Sequence, residues 1–122
     1  MFADKEFENW LIRVSHQEKP PDSVIAYNIG LFETSAGYSV YLVGASTFDE
    51  QNGDWACEEV FTPSERYFSI SLSEPQTWDV VLAQVVEATR KFLKSKAGEY
   101  SFLASAKAVT VGFDDGDLVR VK

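Results

Sequence analysis

His16 and Cys57 are the only histidine and the only cysteine in the chain, and they stand 41 positions apart. A Cys–His nucleophile pair needs both, plus a third group to orient the imidazole. His16 falls at the end of an amphipathic segment, where an imidazole helps satisfy terminal helix carbonyls. Cys57 sits between Ala56 and Glu58 and reads as a small buried apolar group, with a neighbouring carboxylate that raises the thiol pKa and blunts its reactivity. One Cys and one His do not make a zinc site. Counting a calcium loop from Asp49 puts Gln51 third and Gly53 fifth. That breaks a pattern of oxygen ligands at positions 1, 3 and 5 with glycine at 6. Paired carboxylates for glycosidase-like chemistry need one raised pKa, and nothing marks two acids for that work. No phosphate-loop, dinucleotide or H-E-x-x-H motif occurs. The chain is therefore expected to be non-enzymatic, with no cofactor and no metal.

The chemistry that does stand out is charge. Between Lys19 and Arg66 there is no Lys or Arg, while Asp22, Glu33, Asp49, Glu50, Asp54, Glu58, Glu59 and Glu65 give that window a net charge of −8. The rest of the chain carries 11 acidic and 11 basic side chains, so the whole net charge of −8 resides in the window. Such a balance repels nucleic acid and anionic membranes and favours basic protein partners. A single cysteine excludes an internal disulfide and suits a reducing compartment. No run approaches the ~18 apolar residues of a membrane helix, and the N-terminus lacks a signal-peptide apolar core, so a cytoplasmic location is expected.

The elements that position these residues can be read in order. A length of 122 residues indicates one domain. Phe7, Trp10, Leu11 and Val14 mark an amphipathic helix over residues 3–15, ended by Pro20-Pro21. Ile25, Tyr27, Ile29 and Leu31, then Tyr38, Val40 and Leu42, alternate as the two strands of a hairpin. Tyr41 and Val43 on the other face suggest that the second strand is covered on both sides and so is central. Phe68, Ile70 and Leu72 mark a third strand. Ser73 and Gln76 resemble a capping box that opens a long helix over 74–96, with Trp78, Val81, Leu82, Val85, Thr89, Phe92 and Leu93 on its core stripe and Gly98 as its stop. A short helix is expected at 99–105.

The chain ends in a hairpin. A three-residue loop, Asp114-Asp115-Gly116, pairs Val111 with Val119 and places Gly116 at a left-handed position. The expected fold class is α+β, a mainly antiparallel sheet of about five strands with a long helix on one face and an N-terminal helix. The turn Asp114–Asp117, if it lies beside residues 49–59, enlarges the acidic face.

Trp10 and Trp78 fall on helical stripes and are assigned to the core. Trp55 has no periodicity to bury it. Ringed by Asp54, Glu58 and Glu59, it is either an interface anchor or the residue that folds a long loop back onto the domain. The segment YNIGLFETSAGYSVYLVGASTFDEQNGDWACEEVF, with the later GFDDGDLVRV, resembles the small acidic immunity proteins of bacterial toxin competition systems in size, charge and layout. Those proteins are compact, cytoplasmic and non-enzymatic, and they occlude or bind near a toxin's active site. The resemblance implies a basic partner such as a nuclease-type toxin. The candidate partner-binding residues are Asp49, Glu50, Asp54, Trp55, Glu58 and Glu59. The alternative is a small enzyme or ligand-binding protein whose pocket is lined by Tyr27, Tyr38 and Tyr41.

Overall fold

Residues spaced three and four apart share a helix face, and in the computed structural model, which describes residues 4–72 and 74–122, α1 (Asp4–Gln17) buries Phe7, Trp10, Leu11 and Val14. The Trp10 indole donates to the Glu65 carbonyl at 2.8 Å, which ties α1 to the chain just ahead of the third strand. β1 (Ala26–Thr34) and β2 (Gly37–Ala45) form the expected hairpin, in register from Ala26↔Ala45 to Thr34↔Gly37. Gly37 has φ 151°, a conformation that side chains disfavour. A Cβ there would also stand 2.4 Å from the Ile70 carbonyl oxygen. β3 (Tyr67–Ser71) pairs with the outer edge of β2.

α2 runs from Trp78 to Lys94, shorter at both ends than the expected 74–96. Its N-cap is Thr77; the cap expected at Ser73 lies outside the described residues. Val81, Val85, Val86, Ala88, Thr89 and Phe92 are buried, but Trp78 is 60% exposed, contrary to its assignment to the core. It sits on the helix's first turn with its ring against Phe113, ring centroids 6.0 Å apart. Gly98 does not stop this helix. Ser95 does, its amide and hydroxyl both donating to the Phe92 carbonyl, and its Oγ then caps α3 (Lys96–Glu99). Gly98 is buried inside α3, where a Cβ would fall 1.9 Å from the Phe92 oxygen. The short helix expected at 99–105 is split between α3 and a 3-10 turn at Phe102–Ser105.

Among the described residues five strands form one sheet in the order β3-β2-β1-β4-β5, where β4 is Ala108–Phe113 and β5 is Val119–Arg120. The class is α+β, but the sheet is mixed, not the mainly antiparallel one expected, because β4 runs parallel to β1 from Ala26↔Ala108 to Leu31↔Phe113. Alternation of side chains fixes which face a strand shows, not which neighbour it takes. A parallel neighbour needs a long crossover, and the segment carrying α2 and α3 supplies it.

The terminal hairpin keeps the argued register, Val111↔Val119. Gly116, however, does not have a positive φ. A Cβ added there would meet Phe113 at an ordinary 3.7 Å, so the left-handed requirement assigned to Gly116 is withdrawn.

The main core lies on the sheet face shared with α1 and α2, where Ile29, Leu31, Val40, Leu42, Val109 and Val111 join Trp10, Leu11, Val85 and Phe92. On the opposite face the paired residues Asn28 and Thr110 are both buried, and the Thr110 hydroxyl donates to Asn28 Oδ1 at 2.9 Å. A one-residue slip of β4 would bring Val109 or Val111 against Asn28 and turn the valines off the core. Thr110→Val should cost about 1–3 kcal/mol in a denaturant titration, because it leaves a buried acceptor unsatisfied. Adding Asn28→Leu to that variant should recover part of the loss, since the orphaned group goes with it.

Candidate partner-binding face

The 47–65 loop is built from turns that its short polar residues dictate. Asp49 Oδ1 accepts the Gln51 amide and Asn52 Oδ1 accepts the Asp54 amide, each at 2.9 Å. These are Asx-type bonds that compete with extended structure. Asn52 so caps a 3-10 turn, Gly53–Cys57, which rolls Trp55 inward. Trp55 is only 5% exposed and packs with Ala26, Ala45 and Ala108. These alanines are register partners across β2, β1 and β4, so three adjacent strands leave a shallow seat for the indole. Phe48 closes it edge-on at 5.2 Å, and Leu118 packs against the same cluster.

Of the two roles open to it, Trp55 therefore takes that of the loop's internal anchor, and its place among the partner-contacting residues is corrected. The alanine row was the signal for this seat, legible only once the β1–β4 pairing is known. Beyond the turn, Gly44↔Phe61 is a further bridge holding the loop to the sheet.

Asp49, Glu50, Asp54, Glu58 and Glu59 are all exposed. Arginines meet two members of this set and the neighbouring Glu65. Arg120 pairs with Glu50 while lying over the Phe48 ring, Arg66 pairs with Glu59 at 2.8 Å, and Arg13 pairs with Glu65 at 2.6 Å. The charge partition along the sequence is thus softened in space. It is extended as well: Asp49–Gly53 and Gly116–Leu118 line one cavity of about 350 Å³, so the Asp114–Asp117 turn does lie beside the loop. A Cβ at Gly53 would stand 3.3 Å from Leu118.

The tyrosines of the alternative reading do not converge. Tyr27 and Tyr38 belong to the main core, whereas Tyr41 lies on the other face across Gly30, where a Cβ would come 2.1 Å from its Cζ. Tyr27 stacks on Phe102 at 4.9 Å, and burial pushes its hydroxyl up to about 12. Tyr41 donates to Asp114, and burial together with that carboxylate pushes its pKa up. The Arg66 guanidinium lies 5.5 Å from the ring centres of both Tyr41 and Tyr67.

Cys57 is exposed at the end of the 3-10 turn, not buried as expected. His16 is exposed on the last turn of α1. Among the described residues no three His, Cys, Asp or Glu side chains are gathered so as to hold a metal ion, and no helix is long and apolar enough to cross a membrane.

Sequence reasoning passed over Trp78. With Tyr38 and Phe113 it lines a separate cavity of about 600 Å³ that also touches Glu33, Asp114 and Asp115. The available signal was position: a residue directly after Pro75-Gln76-Thr77 falls in the first helical turn, which projects past the packed stripe. In comparisons with known proteins, no family model, no curated protein and no solved structure matched this chain.

Two outcomes follow from this geometry. Trp55→Ala should lower stability by about 3–5 kcal/mol, read as a lower denaturant midpoint. An unchanged midpoint would mean that the indole is not seated on the alanines. The Arg13 guanidinium holds the Glu65 carboxyl below its ordinary value, chiefly by hydrogen bonding. A depressed carboxyl contributes stability above its unfolded pKa and loses it as pH falls through the folded one. Thermal melts from pH 7 to pH 3 should therefore show a smaller acid-induced drop for Arg13→Gln than for the parent.

Proposed function

We propose that this chain is a non-enzymatic binding module that docks on a basic protein, in the manner of an immunity protein covering the positive substrate groove of a nuclease-type toxin. The reading rests on one observation: Asp49 and Glu50 of the exposed acidic loop line one cavity with Asp117 of the terminal turn, on a framework anchored by a buried Trp55. Acidic groups fixed in advance can stand in for phosphates, and they cost little further ordering when a partner arrives. Their field steers encounter and raises the association rate more than it raises affinity. The same field disfavours nucleic acid as the partner. The lone Cys57 is compatible with action in a reducing cytoplasm.

The experiment is a stopped-flow association series with a purified basic nuclease, obtained by capture on the immobilised chain and confirmed by inhibition of its activity. Converting Asp49, Glu50, Asp54, Glu58 and Glu59 to Asn or Gln should slow association by about tenfold or more at low salt. Near ~1 M salt, where the Debye length is about 3 Å, the variant and the parent should converge. The variant should keep its fold, because exposed ion pairs such as Glu50–Arg120 contribute little to stability. Association that ignores the five substitutions at every salt concentration would overturn the acidic-face reading.

A further inference from the structure

We infer that the cavity beside Trp78 is a seat for a cationic side chain, an arginine or lysine of the partner protein. The inference rests on the reading of the partner as a basic protein, but it concerns a different place on the surface from the 47–59 loop. Trp78 is 60% exposed, a costly display for an indole that has core available two turns further along its helix. Its ring meets Phe113 at 6.0 Å and 85°, and Phe113 meets Tyr38 at 5.8 Å and 76°. Three rings set nearly at right angles make an aromatic corner, floored by Leu31, in a cavity of about 600 Å³. The negative faces of aromatic rings attract ammonium and guanidinium groups, tryptophan most of all. Arginine adds flat stacking.

The electrostatics have the same sign. Glu33, Asp114 and Asp115 line the cavity, and among the described residues no Lys or Arg does. The ion pairs found among the described residues join Arg13, Arg66 and Arg120 to acids of the loop segment, and none reaches Glu33, Asp79, Asp114 or Asp115. The negative field is felt within the corner: Tyr38 is pushed up first by burial and then by the Glu33 and Asp79 carboxylates. The positive end of α2 does not oppose a cation here, because Asp79 is already stabilised as an anion by the Thr77 side chain and by the first free amides of the helix. The corner is also held in place. The Tyr38 hydroxyl donates to the Gln76 carbonyl at 2.8 Å, and Asp114 accepts from Tyr41. An exposed tryptophan against a preformed apolar wall, beside acids that no ion pair reaches among the described residues, is the composition of an interface anchor.

The test uses n-butylguanidinium as a side-chain probe and n-butylurea as its neutral counterpart, titrated into the full chain and followed by NMR. Butylguanidinium should saturably shift the Trp78 indole N–H and the Phe113 and Asp115 amides, and butylurea should bind about tenfold more weakly. Trp78→Ala should remove the response, and Asp115→Asn should weaken it about threefold or more. Both residues are exposed, so these variants should fold. The loop variant lacking the five carboxylates of residues 49–59 should still bind the probe. That arm separates the two readings, since the corner can hold a cation whether or not the loop steers a protein. Equal binding of the urea, shifts centred on residues 49–59, or retention of binding in Trp78→Ala would each overturn the assignment.

Discussion

The parallel pairing of β1 with β4 is the constraint on which the remaining architecture depends. It joins the N-terminal hairpin to the C-terminal one across the middle of the sheet. It also places Ala108 beside Ala26 to complete the seat of Trp55. At its other end it brings Phe113 level with Leu31, and so sets the acidic turn that follows beside both the loop and the start of α2. Parallel ladders are slightly weaker per residue than antiparallel ones. Here a buried side-chain hydrogen bond, Thr110 to Asn28, fixes the register. A register error would displace the seat of Trp55 and the Phe113 end of the strand together.

Local chemistry was legible where the causes are local. The helical spacing of Phe7, Trp10, Leu11 and Val14, the alternation in β1 and β2, and the Val111↔Val119 pairing each follow from periodicity or from two facing stripes. The β4 neighbour was not legible, because both edges of the N-terminal hairpin were open to it and alternation cannot choose between edges. The backbone at Gly98 and Gly116 was misjudged for a related reason. Glycine can mark a left-handed turn or a close approach, and only the tertiary neighbours decide which. At Gly98 the neighbour is the Phe92 carbonyl. At Gly116 nothing demands a glycine.

Trp55 and Trp78 show the same limit from opposite sides. Trp55 lacks periodicity, yet it is buried because three alanines, distant in sequence, come together beneath it. Trp78 lies in phase with the stripe of α2, yet it is exposed because a helix's first turn can outrun the sheet it packs on. Periodicity reports which residues share a face of an element. Burial also requires that another element extend far enough to cover that face, and this is a property of relative lengths and offsets.

Charge behaves likewise. Along the sequence the window from Lys19 to Arg66 is purely acidic, but folding draws Arg13, Arg66 and Arg120 onto three of its carboxylates. The acids left without such partners are therefore more informative than the raw count. They include Glu33 and the Asp114-Asp115 turn around the Trp78 corner, at a surface where an apolar wall excludes part of the water. A carboxylate beside low-dielectric rings acts on an incoming cation more strongly than the same group on the open loop. The 47–59 loop and the Trp78 corner thus present different carboxylates, and the fold joins the two places through a single turn.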